Sequence, residues 1–283
     1  MKYFLIFFSL IFINLNAQNI LKFDKRNVQC EDKWVSYQMN KDSIYNFGFI
    51  YIDSQAGLTL NYEGDFKINK TGNFERIEPK EKRAVGFMKV RLQANRVTIA
   101  EIPEEKFAEL KIDKVPNWLA NYKTNENSVE NLFRKGYLYN GYQEIEKALI
   151  FLEKAENINP NFKGLQTELA YSYNASGKYE KAEIALQKEL KNNPNDCYTL
   201  KELAYSYNHM EKLEKSIETY EKMAEICSDK SFVQETAYNL AYKYFELKDK
   251  AKFDKWNKKT KKWSEIENQF TKNLKQLEID IIK

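Results

Sequence analysis

The spacing of apolar residues along this chain changes near residue 129. Between residues 20 and 102, apolar and polar residues mostly alternate. Tyr45–Asp53 (YNFGFIYID), Leu58–Tyr62 (LTLNY), Phe66–Asn69, Phe74–Ile77, Val85–Leu92 (VGFMKVRL) and Val97–Ile102 (VTIAEI) are short runs rich in aromatic and β-branched residues. Thr71-Gly72 and Gln93–Arg96 punctuate them. A period of two places successive side chains on opposite faces of a strand, so these runs predict antiparallel strands joined as hairpins. Trp34–Gln38 reads as one more strand. The expectation for residues 20–102 is a small antiparallel sheet of about five to seven strands. Glu63 and Asp65 flank Gly64 and read as turn residues. Lys80–Arg83 (KEKR) reads as a solvated loop. Residues 103–128 read as a linker holding two short helices, Pro103–Leu110 and Pro116–Tyr122. Each opens on a proline, whose ring pre-sets the first helical residue. Within the linker, Trp118 and Leu119 are expected to dock onto the first helical repeat.

From residue 129 the apolar period becomes helical. Leu132, Lys135, Gly136 and Tyr139 stand at i, i+3, i+4 and i+7, on one helix face. Gln166, Leu169, Ala170 and Tyr173 repeat that stripe, and so do Leu200, Leu203, Ala204 and Tyr207. The phrase ELAYSYN, Glu168–Asn174, recurs 34 residues later as Glu202–Asn208, and a looser copy, NLAYKYF, spans Asn239–Phe245. A second helix follows in each unit. It is marked by Ala148, Leu152 and Ala155, then by Ala182, Leu186 and Glu189, then by Ser216, Tyr220 and Ala224. Pro160 and Pro194 close the first two units. A helical phrase at a fixed period indicates stacked units that bury a continuous core. The units are 129–162, 163–196, 197–230 and 234–267. The last carries Ala237, Leu240, Ala241 and Tyr244 three residues late, with Phe253 where a small residue is due. A final helix over 263–283, with Ile266, Phe270, Leu274 and Leu277 on one face, is expected to cap the stack.

The period, the small residue followed three positions on by Tyr, the Ala opening the second helix and the closing Pro resemble the tetratricopeptide repeat family. The resemblance covers 129–267 and implies an α-helical solenoid. The fold expected for the whole chain is therefore α+β: an N-terminal antiparallel β-sheet domain, then a tetratricopeptide-like solenoid with a C-terminal capping helix. It also implies a protein or peptide partner, held in a concave groove lined by the first helices. On the family's positions, the groove residues would be Phe133, Tyr137, Asn140, Thr167, Tyr171, Asn174, Lys201, Tyr205, Asn208, His209, Tyr238 and Tyr242. Tyr offers apolar area with a hydroxyl tip at low entropic cost. The Asn amide offers a donor and an acceptor to a peptide backbone. The competing reading is that these Tyr and Asn side chains pack between neighbouring helices. The family's clamp for acidic C-terminal tails is not carried over, because Tyr replaces its Asn at position nine of each unit.

Charge and composition narrow the remaining classes. A net charge of +4 with 30% charged residues is mildly basic, short of the dense basic surface that nucleic-acid binding needs. The single histidine, His209, excludes multi-histidine metal sites and leaves little for triad chemistry. No Gly-rich phosphate loop, metal motif or nucleophile elbow occurs, so neither an enzyme nor a cofactor is expected. Residues 1–18 carry one Lys, an apolar run Tyr3–Ile13 and a small-residue end at Ala17, the layout of a secretory signal peptide. The alternative is an uncleaved anchor. An exported protein, periplasmic or extracellular, is expected. Among the three cysteines, Cys197 opens the first helix of the third unit and Cys227 ends its second, which makes them a candidate disulfide. The Lys-rich run Lys248–Lys262 reads as a solvated face, or as a contact with an acidic surface. An alternative function places carbohydrate or cell-wall binding on the sheet, through Phe47, Phe49 and Tyr51, with the repeats as a spacer.

Overall fold

The computed structural model describes residues 20–78, 88–263 and 266–281. The expectations for 1–18 and for Lys80–Arg83 lie outside these residues. The chain divides into two compact units, Met1–Thr124 and Asn125–Lys283.

The first unit is an antiparallel sheet. Its strands are β1 (Lys25–Arg26), β2 (Lys33–Ser36), β3 (Tyr45–Asp53), β4 (Gly57–Ile68), β5 (Phe74–Ile77), β6 (Met88–Arg91) and β7 (Thr98–Glu101). The spatial order is β1-β7-β2-β3-β4-β5, with β6 pairing β4 beside β5. The β3–β4 turn is closed by Asp53, whose carboxylate accepts from the backbone N–H of Gln55 at 2.8 Å and of Ala56 at 2.9 Å. Leu58–Tyr62 and Phe66–Asn69, expected as separate strands, fall on the one 12-residue strand β4, which ends at Ile68. Glu63 and Asp65 are thus not turn residues. Glu63 falls at a bulge, where the register passes from Phe47↔Gly64 to Gly48↔Tyr62. Its carboxylate pairs with Arg76 at 2.9 Å, and that of Asp65 accepts from Asn46 at 2.6 Å and Tyr62 at 2.7 Å.

Phe47, Phe49 and Tyr51 share one face of β3 and are fully buried. They form a core with Trp34, Phe66 and Phe74. Burying each such ring stabilises the unit by about 2–3 kcal/mol. The segment read as a linker covers this face. Helix α1 (Phe107–Leu110) places Leu110 in the core, and a 3-10 helix, Asn117–Tyr122, places Leu119 there. Trp118 stands edge-on to Phe49 and Tyr51, with ring centroids 5.9 and 5.2 Å away. The indole N–H of Trp34 donates to the Asp113 carbonyl at 2.8 Å. The expectation for Trp118 and Leu119 is therefore corrected to a place in the sheet's own core, Leu119 within it and Trp118 packed against it. The placing of aromatic residues at every second position of β3 shows which side chains share a face, but not that α1 and the 3-10 helix lie over it.

The second unit is helical. Four antiparallel pairs follow one another: α2 (Val129–Gly141) with α3 (Ile145–Ile158), α4 (Leu165–Ala175) with α5 (Tyr179–Asn192), α6 (Cys197–His209) with α7 (Leu213–Ile226), and α8 (Lys230–Glu246) with α9 (Lys250–Lys262). Helix α10 (Gln269–Asp280) packs against α8 and α9. Side-chain caps open most first helices: Ser128 accepts from Asn131 N–H, Asp196 from Thr199 N–H and Asp229 from Ser231 N–H. The small-residue stripe lets the two helices of a pair approach. A Cβ on Gly136 would sit 2.4 Å from Leu152.

The turn inside each pair has one residue in the left-handed region: Gln143, Gly177, Glu211 and Lys248, with φ between 56° and 71°. Only Gly177 adopts it without a Cβ penalty. These residues are spaced 34, 34 and 37 apart, so the backbone itself carries the three-residue displacement of the fourth pair. The displacement is taken up by a longer first helix, 17 residues in α8 against 13 in α6. In the displaced register Ala237, Leu240, Ala241, Tyr244 and Phe253 are all buried. Met223, not Ala224, fills the core position of the third unit. Ile266 lies before α10 and is 80% exposed, so the capping face is carried by Leu274, with Phe270 and Leu277 beside it. Within the Lys-rich run, Lys250 pairs with Asp254, Lys252 with Asp249, Lys259 with Glu221 and Lys261 with Glu278.

Candidate functional site

The first helices of successive pairs touch one another, α2 with α4, α4 with α6 and α6 with α8. Each second helix reaches the next pair through its first helix, as α3 does with α4 and α5 with α6. The first helices thus form one continuous layer of the stack.

The twelve candidate residues separate into two groups on this face. Phe133, Tyr137, Tyr171, Lys201, Tyr205, His209, Tyr238 and Tyr242 are exposed or half-buried. Tyr137 is 60% exposed and Tyr242 42%. Tyr171 accepts a hydrogen bond from Gln143 at 2.7 Å. Tyr205 leans on His209, which stacks on Tyr179 with centroids 4.6 Å apart. Burial holds the His209 imidazole below its ordinary pKa, with Lys243 adding to the shift and Glu246 opposing it. Tyr238 is covered by Phe270 of α10, 5.1 Å away, and bonds Asn273.

The second group, Asn140, Asn174, Asn208 and Thr167, is buried; this corrects the assignment of the three Asn residues to the groove, while Thr167 borders a cleft. The Asn140 amide donates to both the carbonyl and the carboxylate of Glu168, at 3.1 and 2.9 Å, and accepts from the Ser172 hydroxyl at 2.7 Å. The Asn174 amide does the same one unit later, with Glu202 at 3.1 and 3.0 Å and Ser206 at 2.7 Å. Each is a clamp from one first helix to the next. Thr167 is tied to Thr199 by a 2.9 Å bond between hydroxyls. Asn208 has neither clamp partner. The displaced fourth unit puts Asn239 and Lys243 where Glu and Ser are due, and both amide atoms of Asn208 are buried with no hydrogen-bond partner among the described residues.

A cleft of about 720 Å³ opens at the foot of the aromatic stripe, between α2, α4 and the start of α6. Phe133, Tyr137, Glu168 and Tyr198 line it, with Glu189 and Asp196 at the α5–α6 connection. Sequence reasoning named only Phe133, Tyr137 and Thr167 of this lining. Glu168 was in plain view, because it opens the repeated phrase one position after Thr167. Burial pushes the Glu168 carboxyl above its ordinary value; the Asn140 amide opposes this and the nearby charge of Glu202 adds to it. Burial opposes the Lys201 charge, but Glu202 at 2.9 Å and Glu235 at 3.5 Å outweigh it and raise that pKa. Among the described residues, no group of three or more His, Cys, Asp or Glu is placed to hold a metal ion.

Residues 129–162 match the family model of the tetratricopeptide repeat. The match covers the first of the four helix pairs, and the other three repeat its two-helix plan. No curated protein matches the chain. Among solved structures, a tetratricopeptide repeat protein from Parabacteroides merdae ATCC 43184 is similar at 16% identity, covering 63% of this chain and 63% of that one, with a TM-score of 0.43. MamA from Desulfovibrio magneticus RS-1 (residue 41 to the end) is similar at 18% identity, covering 62% and 86%, with a TM-score of 0.42. A further MamA, MSR-1, is similar at 17% identity, covering 56% and 90%, with a TM-score of 0.42. At these identities no function passes from those proteins to this chain. Helices α6 and α7 place Cys197 and Cys227 with Cα atoms 5.9 Å apart, and their sulfurs are bonded.

Proposed function

We propose that this chain is a non-enzymatic scaffold that holds a peptide segment of a partner protein along the inner face of its repeats. The observation that carries this reading is the run of accessible aromatic side chains on successive first helices, Phe133 and Tyr137, then Tyr171, Tyr205 and Tyr242. Large accessible rings in a row along successive helices, with a cleft at one end, suit an extended ligand better than a compact metabolite. The buried Asn residues take no part. Phe47, Phe49 and Tyr51 are fully buried, so the observation that would favour a carbohydrate-binding sheet is missing. No helix among the described residues is long and apolar enough to cross a membrane. We further propose that the protein is exported and works in an oxidising compartment; the Cys197–Cys227 disulfide supports this, since such bonds persist where thiols are not kept reduced.

The test is retention of the full chain on a randomised immobilised peptide library. Wild type is expected to select a family of related peptides, and Tyr137→Ala/Tyr171→Ala to bind them about tenfold or more weakly. Equal binding by a double mutant with an unchanged melting temperature would remove the groove from consideration.

A further inference from the structure

Among the differences between the second and third repeat units is the residue that precedes their shared Glu. In the third unit, Lys201 precedes Glu202. Its ammonium lies 2.9 Å from that carboxylate and 3.5 Å from Glu235, above the rings of Tyr198 at 4.8 Å and Phe232 at 5.8 Å. This is a cation held between carboxylates and aromatic faces, the arrangement in which an ammonium is best stabilised away from bulk water. In the second unit, 34 residues earlier, the equivalent carboxylate is Glu168, and the residue before it is Thr167. Thr167 turns its hydroxyl to Thr199 and supplies no charge. Glu168 keeps the Asn140 amide as donor but has no ion-pair partner among the described residues.

In place of a lysine, the second unit has the cleft. Phe133 and Tyr137 stand on one side, Tyr198 on another, and Glu168 lines it between them. Glu189 and Asp196 add two further carboxylates, against one ammonium, the exposed Lys163. Glu189 accepts from Asn193 at 2.6 Å, and Asp196 caps α6 through Thr199 N–H at 2.7 Å, so neither is neutralised by a cation there. The cleft is thus aromatic at its walls and negative in sum, and its volume is ample for one long side chain.

Resting on the peptide-groove reading above, we propose that this cleft takes a lysine or arginine side chain of the bound peptide, its cation set at Glu168 as Lys201 is set at Glu202. The chain's own third unit is the template for the contact. The pocket would fix the peptide's register, since one basic side chain must fall between the first and third units. The tyrosines beyond it, Tyr171 and Tyr205, would add affinity with less selectivity.

The same library decides the matter. Wild type is expected to retain peptides with Lys or Arg enriched at one position. Replacing that residue by norleucine in the best peptide, which needs no change in the protein, should weaken binding about tenfold. Glu168→Gln should bind the basic peptide about tenfold more weakly and the norleucine peptide as well as wild type does. Thr167→Lys, which supplies an internal occupant, should also lose the basic preference. Selected peptides without a basic position, or a basic preference that survives in Glu168→Gln, would overturn the cation pocket and leave the groove standing. Retention of no peptide by wild type would overturn both.

Discussion

The junctions between the second and third units and between the third and fourth are built differently. At the first of these, Asn174 reaches across to Glu202 and Ser206, and the two helices are joined by buried hydrogen bonds. At the second, the displaced register removes both partners and leaves Asn208 buried without them. What holds the latter instead is a larger aromatic core, with Tyr220 edge-on to Trp256 at 4.8 Å, Phe253 fully buried and Trp263 donating to the Tyr220 hydroxyl at 2.9 Å. The Cys197–Cys227 disulfide ties the two ends of the third pair beside it. The difference shows what the identical phrase is for. Glu, Ser and Asn recur in ELAYSYN because they complete a clamp between neighbours, and they lapse in the unit where the geometry no longer allows it.

The largest expected effect comes from cutting the covalent tie. Cys197→Ser/Cys227→Ser should lower stability by about 3–4 kcal/mol, from the loop entropy restored to the unfolded chain. Denaturant unfolding of the double mutant measures it, and a change below about 1 kcal/mol would mean that the aromatic core holds the junction unaided.

Next in size is the clamp itself. Asn174→Leu should cost about 2 kcal/mol, because it strips the buried Glu202 of its amide donors. Asn208→Leu, the same substitution at the equivalent position, should cost less than about 0.5 kcal/mol or should stabilise, since that amide is already unpartnered. Equal costs at the two sites would erase the contrast between the junctions.

The smallest effect is a pH dependence. A carboxyl whose folded pKa is raised binds its proton more tightly folded than unfolded. Its favourable contribution is complete below its ordinary value of 4.5 and is lost as pH rises through the folded pKa. Wild type should therefore lose stability relative to Glu168→Gln as pH rises above the ordinary carboxyl value of 4.5. Parallel stability curves over that range would show that Glu168 is not held in an unfavourable environment.

Much of this is legible in the sequence. The helical period, the small residue beside each Tyr and the late fourth unit all lie in the spacing of apolar residues, because a helix repeats its faces every three to four positions. The functional face was harder to read. Tyr137 and Asn140 stand three positions apart on one helix, yet Tyr137 is 60% exposed and Asn140 is 3%. A rotation of some tens of degrees separates open surface from the seam between helices, and periodicity does not resolve that angle. Glu168 is hidden in the sequence for a related reason: a charged residue in an amphipathic helix reads as solvated until the neighbouring helix is in place.

By itself the sequence determined the two-part architecture, the 34-residue period and the break in it, since each follows from local spacing and side-chain size. Only the tertiary structure decided that the Pro103–Tyr122 segment covers the sheet, that the Asn ladder is a set of clamps and that Glu168 faces a cleft. Those three depend on which surfaces meet across many residues of chain, and such a meeting is settled by packing, with no mark of its own in local sequence.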